Sequence, residues 1–188
     1  MWLESPAQEL VVEDGRVAGV VVRRSDGSTV RVRARRGVVL AAGGFPQDLQ
    51  RRGELFRHAP HGRAHHSPAP PGNTGDGLRL AESVGGQVAR DLPNAAAWIP
   101  VSLVPHRDGS TGVFPHLIDR YKPGVIGVNR QGRRFVNESD SYHDVGVQML
   151  RHCADGGETA AWLIADHRTL RRYGLGFAKP FPLPLGQH

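Results

Sequence analysis

Short apolar runs separated by polar turns occupy residues 9–42 and predict three strands. Residues 10–12 are apolar, residues 16–24 have a valine-rich centre, and apolar residues alternate with polar ones across residues 30–34. Asp-Gly pairs at 14–15 and 26–27 separate the runs, and such pairs favour tight hairpin turns. Connections this short join neighbouring antiparallel strands, so we expect a β-meander.

A continuous apolar run follows at residues 37–42 and ends in Gly43 and Gly44. Runs without alternation are typical of strands buried on both faces of a layered α/β sheet. Glycines after such a strand allow another backbone or a ligand to approach closely. We therefore predict a buried strand that leads directly into a candidate ligand contact.

Helices are predicted at residues 46–57 and 78–84. Asp76 precedes the second helix and suits the N-cap position, where a carboxylate accepts a backbone N–H bond. Asp76 has a second interpretation, because the turn formed with Gly75 and Gly77 would let the backbone and a carboxylate reach a cofactor together. A helix cap and a cofactor contact would both favour these residues at positions 75–77.

The most informative stretch combines a strand, a turn and the start of a helix. Residues 125–128 are apolar and lead into a turn that closes at Gly132. Ser141 lies three residues before Asp144, which matches a capping box and makes Tyr142 the first helical residue. The helix dipole favours negative charge there, so Tyr142 is a candidate acid/base residue. The alternative is a tyrosine that only packs against its neighbours.

The last third of the chain predicts one more strand and one more helix. Residues 160–165 are typical of a buried strand, and Asp166 suits the N-cap of a short helix through Tyr173. Alternate prolines in residues 179–186 exclude regular helix or sheet there, because proline fixes φ and lacks an N–H donor.

Charge and composition narrow the class of protein. The formal charge of +6 comes almost entirely from scattered arginines, and Arg31, Arg33 and Arg35 share one face of a strand, which indicates a solvated surface and no nucleic-acid partner. No apolar run approaches the roughly 20 residues of a membrane span. A single cysteine, Cys153, excludes an internal disulfide and fits a reducing compartment, so we expect a cytoplasmic protein.

Two residue clusters are reminiscent of other chemistry. Four histidines between residues 58 and 66 suggest metal binding, but no cysteine or carboxylate accompanies them and prolines interrupt the loop, so we predict no metal site. Ser141, His143 and Asp144 have the composition of a hydrolytic triad. Neighbouring helical residues point in different directions, so we assign them capping and solvent contact instead.

Three segments in order carry a family resemblance: GVVLAAGGF (37–45), NTGDGLRLAESVGG (73–86) and GVIGVNRQGRRFVNE (124–138). Together they resemble the flavoproteins of the fumarate reductase, succinate dehydrogenase and 3-ketosteroid dehydrogenase superfamily, across nearly the whole chain. The resemblance implies an α/β flavoenzyme with an α+β cap. Residues 1–93 would be a partial FAD-binding domain, with the β-meander and the buried strand. Residues 94–188 would be the inserted cap domain for a small-molecule substrate.

The resemblance also implies roles for individual residues. FAD would contact the glycine turns and their carboxylate, at Gly43, Gly44, Gly75, Asp76 and Gly77. Tyr142 stands where the fumarate reductase branch carries an arginine that delivers a proton. This difference favours a ketosteroid-like or other cyclic ketone substrate, with Tyr142 in proton transfer while the flavin takes the hydride. A fumarate or succinate oxidoreductase is the alternative, and a non-catalytic fragment or a subunit of a split flavoenzyme is the third reading.

One family motif is missing from the sequence. The G-x-G-x-x-G unit that seats a pyrophosphate on a helix N-terminus does not occur. We therefore expect a middle fragment, with the remaining FAD-domain portion on the parent chain or on a partner chain. This chain alone would then bind little FAD.

Overall fold

The computed structural model describes residues 1–59, 61, 64–155 and 158–183, which combine helix and sheet as predicted. In chain order the elements are β1 (Ala7–Glu13), β2 (Arg16–Arg23), β3 (Thr29–Arg33), α1 (Leu49–Leu55), α2 (Asp76–Glu82), β4 (Val101–Pro105), β5 (Thr111–Pro115), β6 (Val125–Val128), α3 (Tyr142–His152), β7 (Ala154–Asp155), β8 (Glu158–Thr159), β9 (Trp162–Ala165) and α4 (His167–Tyr173). No helix in the described ranges is long and apolar enough to cross a membrane.

The chain forms two compact units. The first comprises Met1–Asp48 and Ala69–Leu92, and the second comprises Leu49–Pro68 and Pro93–His188. One break between them therefore falls between Leu92 and Pro93. The assignment of residues 1–93 to an FAD-binding domain and of 94–188 to a cap stays a prediction.

The first unit contains the predicted meander. Strands β1, β2 and β3 pair antiparallel in that order. Gly15 and Gly27 adopt φ of 73° and 83° in the connecting turns, a left-handed conformation that glycine reaches without a Cβ clash. Leu10, Val11 and Val22 are the buried apolar side chains of the meander among the residues that the structure describes. The three-stranded meander is confirmed.

The outer face of the meander carries the arginines. Arg31 and Arg33 are exposed and lie 3.6 and 3.7 Å from the Glu13 carboxylate. Exposed ion pairs of this kind contribute little to stability, typically 0–1 kcal/mol. The prediction of a solvated strand face is confirmed for these two residues.

The buried strand predicted at residues 37–44 is wrong. The structure assigns no strand there, and Val39 is 89% exposed. A strand buried on both faces of a parallel sheet needs hydrogen-bonded neighbours and covering helices. No strand in the described part of the chain pairs with this segment, so its apolar side chains remain in solvent.

The predicted cap of α2 is also wrong in detail. The N-cap is Gly75, with φ 82° and ψ 22°, and no side chain caps the helix. Asp76 is the first helical residue, and its carboxylate pairs with Arg79 one turn further on. The left-handed backbone at the cap explains the difference, because glycine adopts it far more readily than aspartate.

The second unit confirms the helix starts predicted by capping chemistry. Ser141 Oγ accepts the Asp144 N–H at 3.1 Å, so α3 begins at Tyr142, and Val145 is buried one turn later. Asp166 accepts the Thr169 N–H at 2.7 Å and caps α4.

Strand β6 and its turn are present as predicted, while β9 differs in burial. Gly132 has φ 71° and donates to the Asn129 carbonyl at 2.9 Å, which closes the turn. Strand β9 pairs antiparallel with β6, but Trp162 and Ile164 are nearly half exposed. The prediction that β9 is buried is wrong because the described chain places only β6 beside it.

The described residues contain no group of three or more histidine, cysteine or acidic side chains that could hold a metal ion.

The extended tail was predicted at residues 179–186. The description of the structure ends at residue 183, so the rest of this tail lies outside the described residues.

Candidate functional site

The predicted cofactor glycines lie together in the first unit. The Gly75 N–H donates to the Gly44 carbonyl at 3.1 Å, which joins two residues that are 31 positions apart. Gly43 adopts φ 74°, and a Cβ built on it would lie 2.8 Å from Asn73 Oδ1. A side chain is therefore disfavoured at Gly43, by the left-handed φ and by the contact with Asn73, and the exposed backbone at Gly43 and Gly44 is open to close approach by a ligand.

Gly77 and Asp76 complete this cluster. A Cβ on Gly77 would lie 3.3 Å from the Ala42 Cβ, so this glycine lets α2 pack closely against the 37–44 segment. The Asp76 side chain is largely exposed and pairs with Arg79, whose guanidinium also contacts Asp48 at 3.0 Å. One carboxylate oxygen of Asp76 therefore has a cationic neighbour, and the carboxylate remains accessible to solvent.

Tyr142 occupies the first turn of α3 in the second unit. Its side chain is 40% exposed, and no described residue hydrogen-bonds its hydroxyl. Next to it, His143 differs from the prediction. Its Nδ1 accepts the Trp98 backbone N–H at 3.1 Å, so His143 anchors the helix instead of only contacting solvent.

Gly146 explains how α3 comes so close to the Trp98 segment. A Cβ at Gly146 would lie 2.6 Å from the Trp98 Cβ, well inside van der Waals contact. The helix that carries Tyr142 is therefore seated by a hydrogen bond and by a glycine contact.

Two buried charged residues hold the loop that precedes Tyr142. The Arg120 guanidinium donates to the carbonyls of Glu138 and Asp140, the latter at 2.6 Å. The Glu138 carboxylate accepts the Gly127 N–H at 2.7 Å and the Arg134 Nε–H at 2.9 Å. Residues 138–140 are thus bound from both sides immediately before the helix begins.

The ionisation of Glu138 reflects these bonds. Burial acts to raise its pKa, but the hydrogen bonds from Arg134 and Gly127 outweigh burial and lower the pKa from 4.5 to about 2. Glu138 is therefore charged at neutral pH and forms a buried anchor for the start of α3.

The second unit also contains a cavity of about 450 Å³. Its walls are mostly apolar and include residues of β4, β9 and α3, and its polar members are Ser102, His116, Arg120 and Glu138. Ser102 Oγ lies 2.7 Å from His116 Nε2, and His116 Nδ1 lies 2.8 Å from Asp119 Oδ2. The three side chains form a continuous hydrogen-bonded chain from the cavity wall into the interior.

Asp119 terminates this chain and is ionised. Its Oδ2 also accepts the Gly176 N–H at 2.8 Å. Burial acts to raise the pKa of Asp119, but its hydrogen bonds with His116 and Gly176 outweigh burial and lower the pKa overall. The carboxylate therefore acts as an acceptor at neutral pH.

Sequence reasoning missed this hydrogen-bonded chain. His116 and Asp119 are three residues apart after β5, a spacing that could have flagged them. Ser102 comes from β4 and reaches His116 only through the β4–β5 pairing, in which Ser102 is opposite Phe114. The set that composition suggested, Ser141, His143 and Asp144, forms no such relay within the described residues: Ser141 bonds Asp144, and His143 accepts the Trp98 N–H.

Residues 1–179 match the family described as "FAD binding domain". The chain belongs to this family. The match covers far more than half of the sequence and includes residues of both units. It confirms FAD as the cofactor and agrees with the mixed helix and sheet of the structure.

Two dehydrogenases with curated functions are similar to nearly the whole chain. This chain is 41% identical over 187 residues to 4-oxocyclohex-2-ene-1-carboxylate 5-dehydrogenase of Sinomonas cyclohexanicum, a match that covers 99% of this chain and 31% of the relative. It is 38% identical over 181 residues to 3-oxosteroid 1-dehydrogenase of Mycobacterium tuberculosis, covering 91% and 30%. The chain thus spans about a third of the length of these dehydrogenases.

A solved structure agrees with this placement. The crystal structure of 3-ketosteroid Δ1-dehydrogenase from Sterolibacterium denitrificans, in complex with 1,4-androstadiene-3,17-dione, matches with a TM-score of 0.77 and 35% sequence identity. The match covers 97% of this chain and 33% of that one. The resemblance to ketosteroid dehydrogenases within the superfamily is therefore confirmed.

Proposed function

We propose that this chain is part of an FAD-dependent dehydrogenase that moves hydride between the flavin and a cyclic ketone, such as a ketosteroid. The observation that carries the proposal is Tyr142, an exposed phenol without a described partner at the start of a firmly anchored helix. Relatives named as dehydrogenases of oxocyclohexane carboxylates and oxosteroids support this substrate class. The second unit would contribute the substrate cap.

Such a reaction removes a proton from one carbon and a hydride from its neighbour. Bound FAD supplies the hydride acceptor. Tyr142 would take the proton, and two features suit it to this task. The α3 dipole stabilises negative charge at the first turn, and the bonds from Arg120 to the preceding carbonyls hold the backbone that leads into Tyr142.

The first unit would hold part of the FAD. The bare backbone at Gly43 and Gly44 permits close approach, and the hydrogen bond to Gly75 fixes both segments in one place. Gly77 keeps α2 close to this surface. The exposed Asp76 carboxylate would accept hydrogen bonds from hydroxyl groups of the cofactor. These residues therefore fit a bound FAD.

The test is Tyr142→Phe in the intact, flavin-loaded enzyme, assayed with an oxosteroid and an oxocyclohexane carboxylate. Loss of a general acid or base typically lowers turnover 10²- to 10⁴-fold, so we expect a loss in that range, with unchanged flavin absorbance. Tyr173→Phe, on α4, is the matched control and should retain full turnover.

Two outcomes would contradict the proposal. Undiminished turnover by the Tyr142→Phe enzyme would remove Tyr142 from proton transfer. Turnover of fumarate or succinate in place of cyclic ketones would favour the dicarboxylate reaction instead.

A further inference from the structure

We propose that the cavity of the second unit binds an alicyclic or polycyclic alcohol, whose hydroxyl donates a hydrogen bond to Ser102 Oγ. This site goes beyond the proposed dehydrogenase chemistry, because neither Tyr142 nor the glycine cluster lines the cavity. Its polar end is built by Ser102, His116 and Asp119.

The size and lining of the cavity indicate the class of ligand. A volume of about 450 Å³ falls within the roughly 300–1,000 Å³ of small-molecule sites. The walls include Leu103, Val104, Phe135, Val145, Leu163 and Phe177. A mostly hydrocarbon ring system matches such walls, since each polar group placed against them would lose its hydration without a partner.

The positions of the protons on Asp119, His116 and Ser102 determine which hydrogen-bonding group a ligand needs at the polar end of the cavity. An ionised Asp119 has only acceptor oxygens, so His116 Nδ1 must carry the proton that bridges their 2.8 Å contact. When the imidazole is neutral and Nδ1 carries its proton, Nε2 has only a lone pair, and Ser102 O–H is then the donor in their 2.7 Å contact. The Ser102 proton is then used in the hydrogen bond to His116. The Ser102 oxygen offers only lone pairs to the cavity, so a ligand that bonds to it must supply a hydrogen-bond donor.

Arg120 supplies the second polar observation. It is 3% exposed and lines the cavity, and its buried Nε–H has no hydrogen-bond partner within the described residues. Its two terminal nitrogens already donate to the Glu138 and Asp140 carbonyls. An oxygen-bearing ligand could satisfy the remaining N–H. A hydroxyl both donates and accepts, whereas a ketone oxygen only accepts.

The same atoms could also suggest an acyl-transfer nucleophile, since Ser102, His116 and Asp119 follow the order nucleophile, base and orienting acid. That chemistry needs N–H donors for the oxyanion. The backbone N–H groups of the lining glycines are already used, by Gly127 for Glu138 and by Gly176 for Asp119, so of these donors only the Arg120 Nε–H remains, where an oxyanion hole combines several. This arrangement favours ligand binding over catalysis by Ser102.

The experiment compares two probes of equal shape, trans-4-methylcyclohexanol and 4-methylcyclohexanone. Each is titrated into the complete chain near neutral pH, and dissociation constants are taken from backbone amide NMR shifts at Gly127 and Gly176. We expect the alcohol to bind about three- to tenfold more tightly, the range of one net hydrogen bond.

Three variants assign the preference to Ser102. Ser102→Ala should abolish the difference between the probes, and Ser102→Thr should restore it, because threonine keeps the hydroxyl and suits a strand. Ser110→Ala is the control, since the Ser110 hydroxyl bonds Asp108 outside the cavity. Tyr142→Phe should leave the preference intact, which separates this inference from the proposed dehydrogenase reaction.

Several results would overturn the assignment. Equal binding of both probes to the wild-type chain would show that Ser102 does not select a donor, and absence of binding would remove the ligand site. Hydrolysis of p-nitrophenyl butyrate that disappears in Ser102→Ala would make Ser102 a nucleophile instead.

Discussion

Glu138→Gln tests the buried anchor beneath Tyr142 most directly. Glutamine has nearly the same shape and can still accept the Gly127 N–H, so the change removes charge without creating a cavity. What it removes is the ionic part of the bond to Arg134, whose guanidinium lies beside the Glu138 carboxylate. The loss of stability therefore combines the buried charge with the mismatch between the glutamine NH2 and the Arg134 donor that the second carboxylate oxygen accepts.

The pKa of Glu138 gives the size of the expected loss in the free energy of unfolding. Lowering it from 4.5 to about 2 corresponds to about 3 kcal/mol of folding free energy when the carboxylate is charged. The Arg134 side chain is 57% exposed, and solvent screening reduces the value of such a partner. We therefore expect Glu138→Gln to lower the free energy of unfolding by about 1–3 kcal/mol at pH 7.

The pH dependence of this stability difference tests the role of the charge more sharply than its size at pH 7. Because the folded-state pKa lies below the unfolded one, the stabilisation by Glu138 is complete above pH 4.5 and disappears as the pH falls towards 2. The difference between wild type and Glu138→Gln should shrink over the same interval. Urea unfolding followed by tryptophan fluorescence, at several pH values between 2.5 and 7 (roughly the range spanned by these pKa values), measures it.

Glu158→Gln is the matched control. The Glu158 side chain is 72% exposed and 3.9 Å from Arg130, so its loss should change stability by at most about 0.5 kcal/mol. A difference between wild type and Glu138→Gln that stays constant from pH 7 to pH 2.5 would refute the argument, because the charge of Glu138 would then contribute nothing.

Three more substitutions test backbone features. Gly43→Ala should destabilise the protein by about 1–3 kcal/mol, since it adds a left-handed alanine whose Cβ meets Asn73, and it should weaken FAD retention in the intact enzyme. Urea unfolding measures the first effect, and flavin absorbance of the intact enzyme after dialysis measures the second. Ser141→Ala should cost about 1 kcal/mol by removing the cap of α3. Gly146→Ala should cost about 1–3 kcal/mol, because its Cβ would overlap the Trp98 side chain.

Each of these three substitutions has a result that would contradict the prediction. Gly27→Ala shares the left-handed backbone of Gly43 but meets open space, so equal flavin loss in both variants would argue against a local FAD contact. Ser139→Ala should be milder than Ser141→Ala, and equal losses would argue against the cap. Alanine is normally the better helix former, so a stabilised Gly146→Ala protein would contradict the close contact.

Local chemistry explains which parts of the fold could be predicted. The Asp-Gly turns of the meander and the caps at Ser141 and Asp166 depend on residues within a few positions of each other, and the structure confirms them. The segment at 37–44 failed because burial of a strand depends on distant neighbours. Its apolar composition carries no information on whether such neighbours are present.

The candidate site also has parts that the sequence predicts and parts that it does not. The glycine motifs at 43–44 and 75–77 are visible in the sequence, and the structure brings them together through one backbone hydrogen bond. Ser102 could not be found, because its meeting with His116 depends on strand register and on the turn that leads to Asp119. Glu138 was read only as part of a motif, and its burial could not be inferred from its charged side chain.

The bare face of the β6–β9 pair has a consequence for the behaviour of the chain in solution. Ile126 is opposite Ile164 in this two-stranded sheet, and both are exposed beside Trp162. Apolar sheet surfaces of this kind promote association between molecules, whereas the net charge of +6 opposes it through mutual repulsion. Added salt screens that repulsion, with a Debye length of about 8 Å at 0.15 M. The chain should therefore be most soluble at low ionic strength, and its colloidal stability should fall as salt is raised.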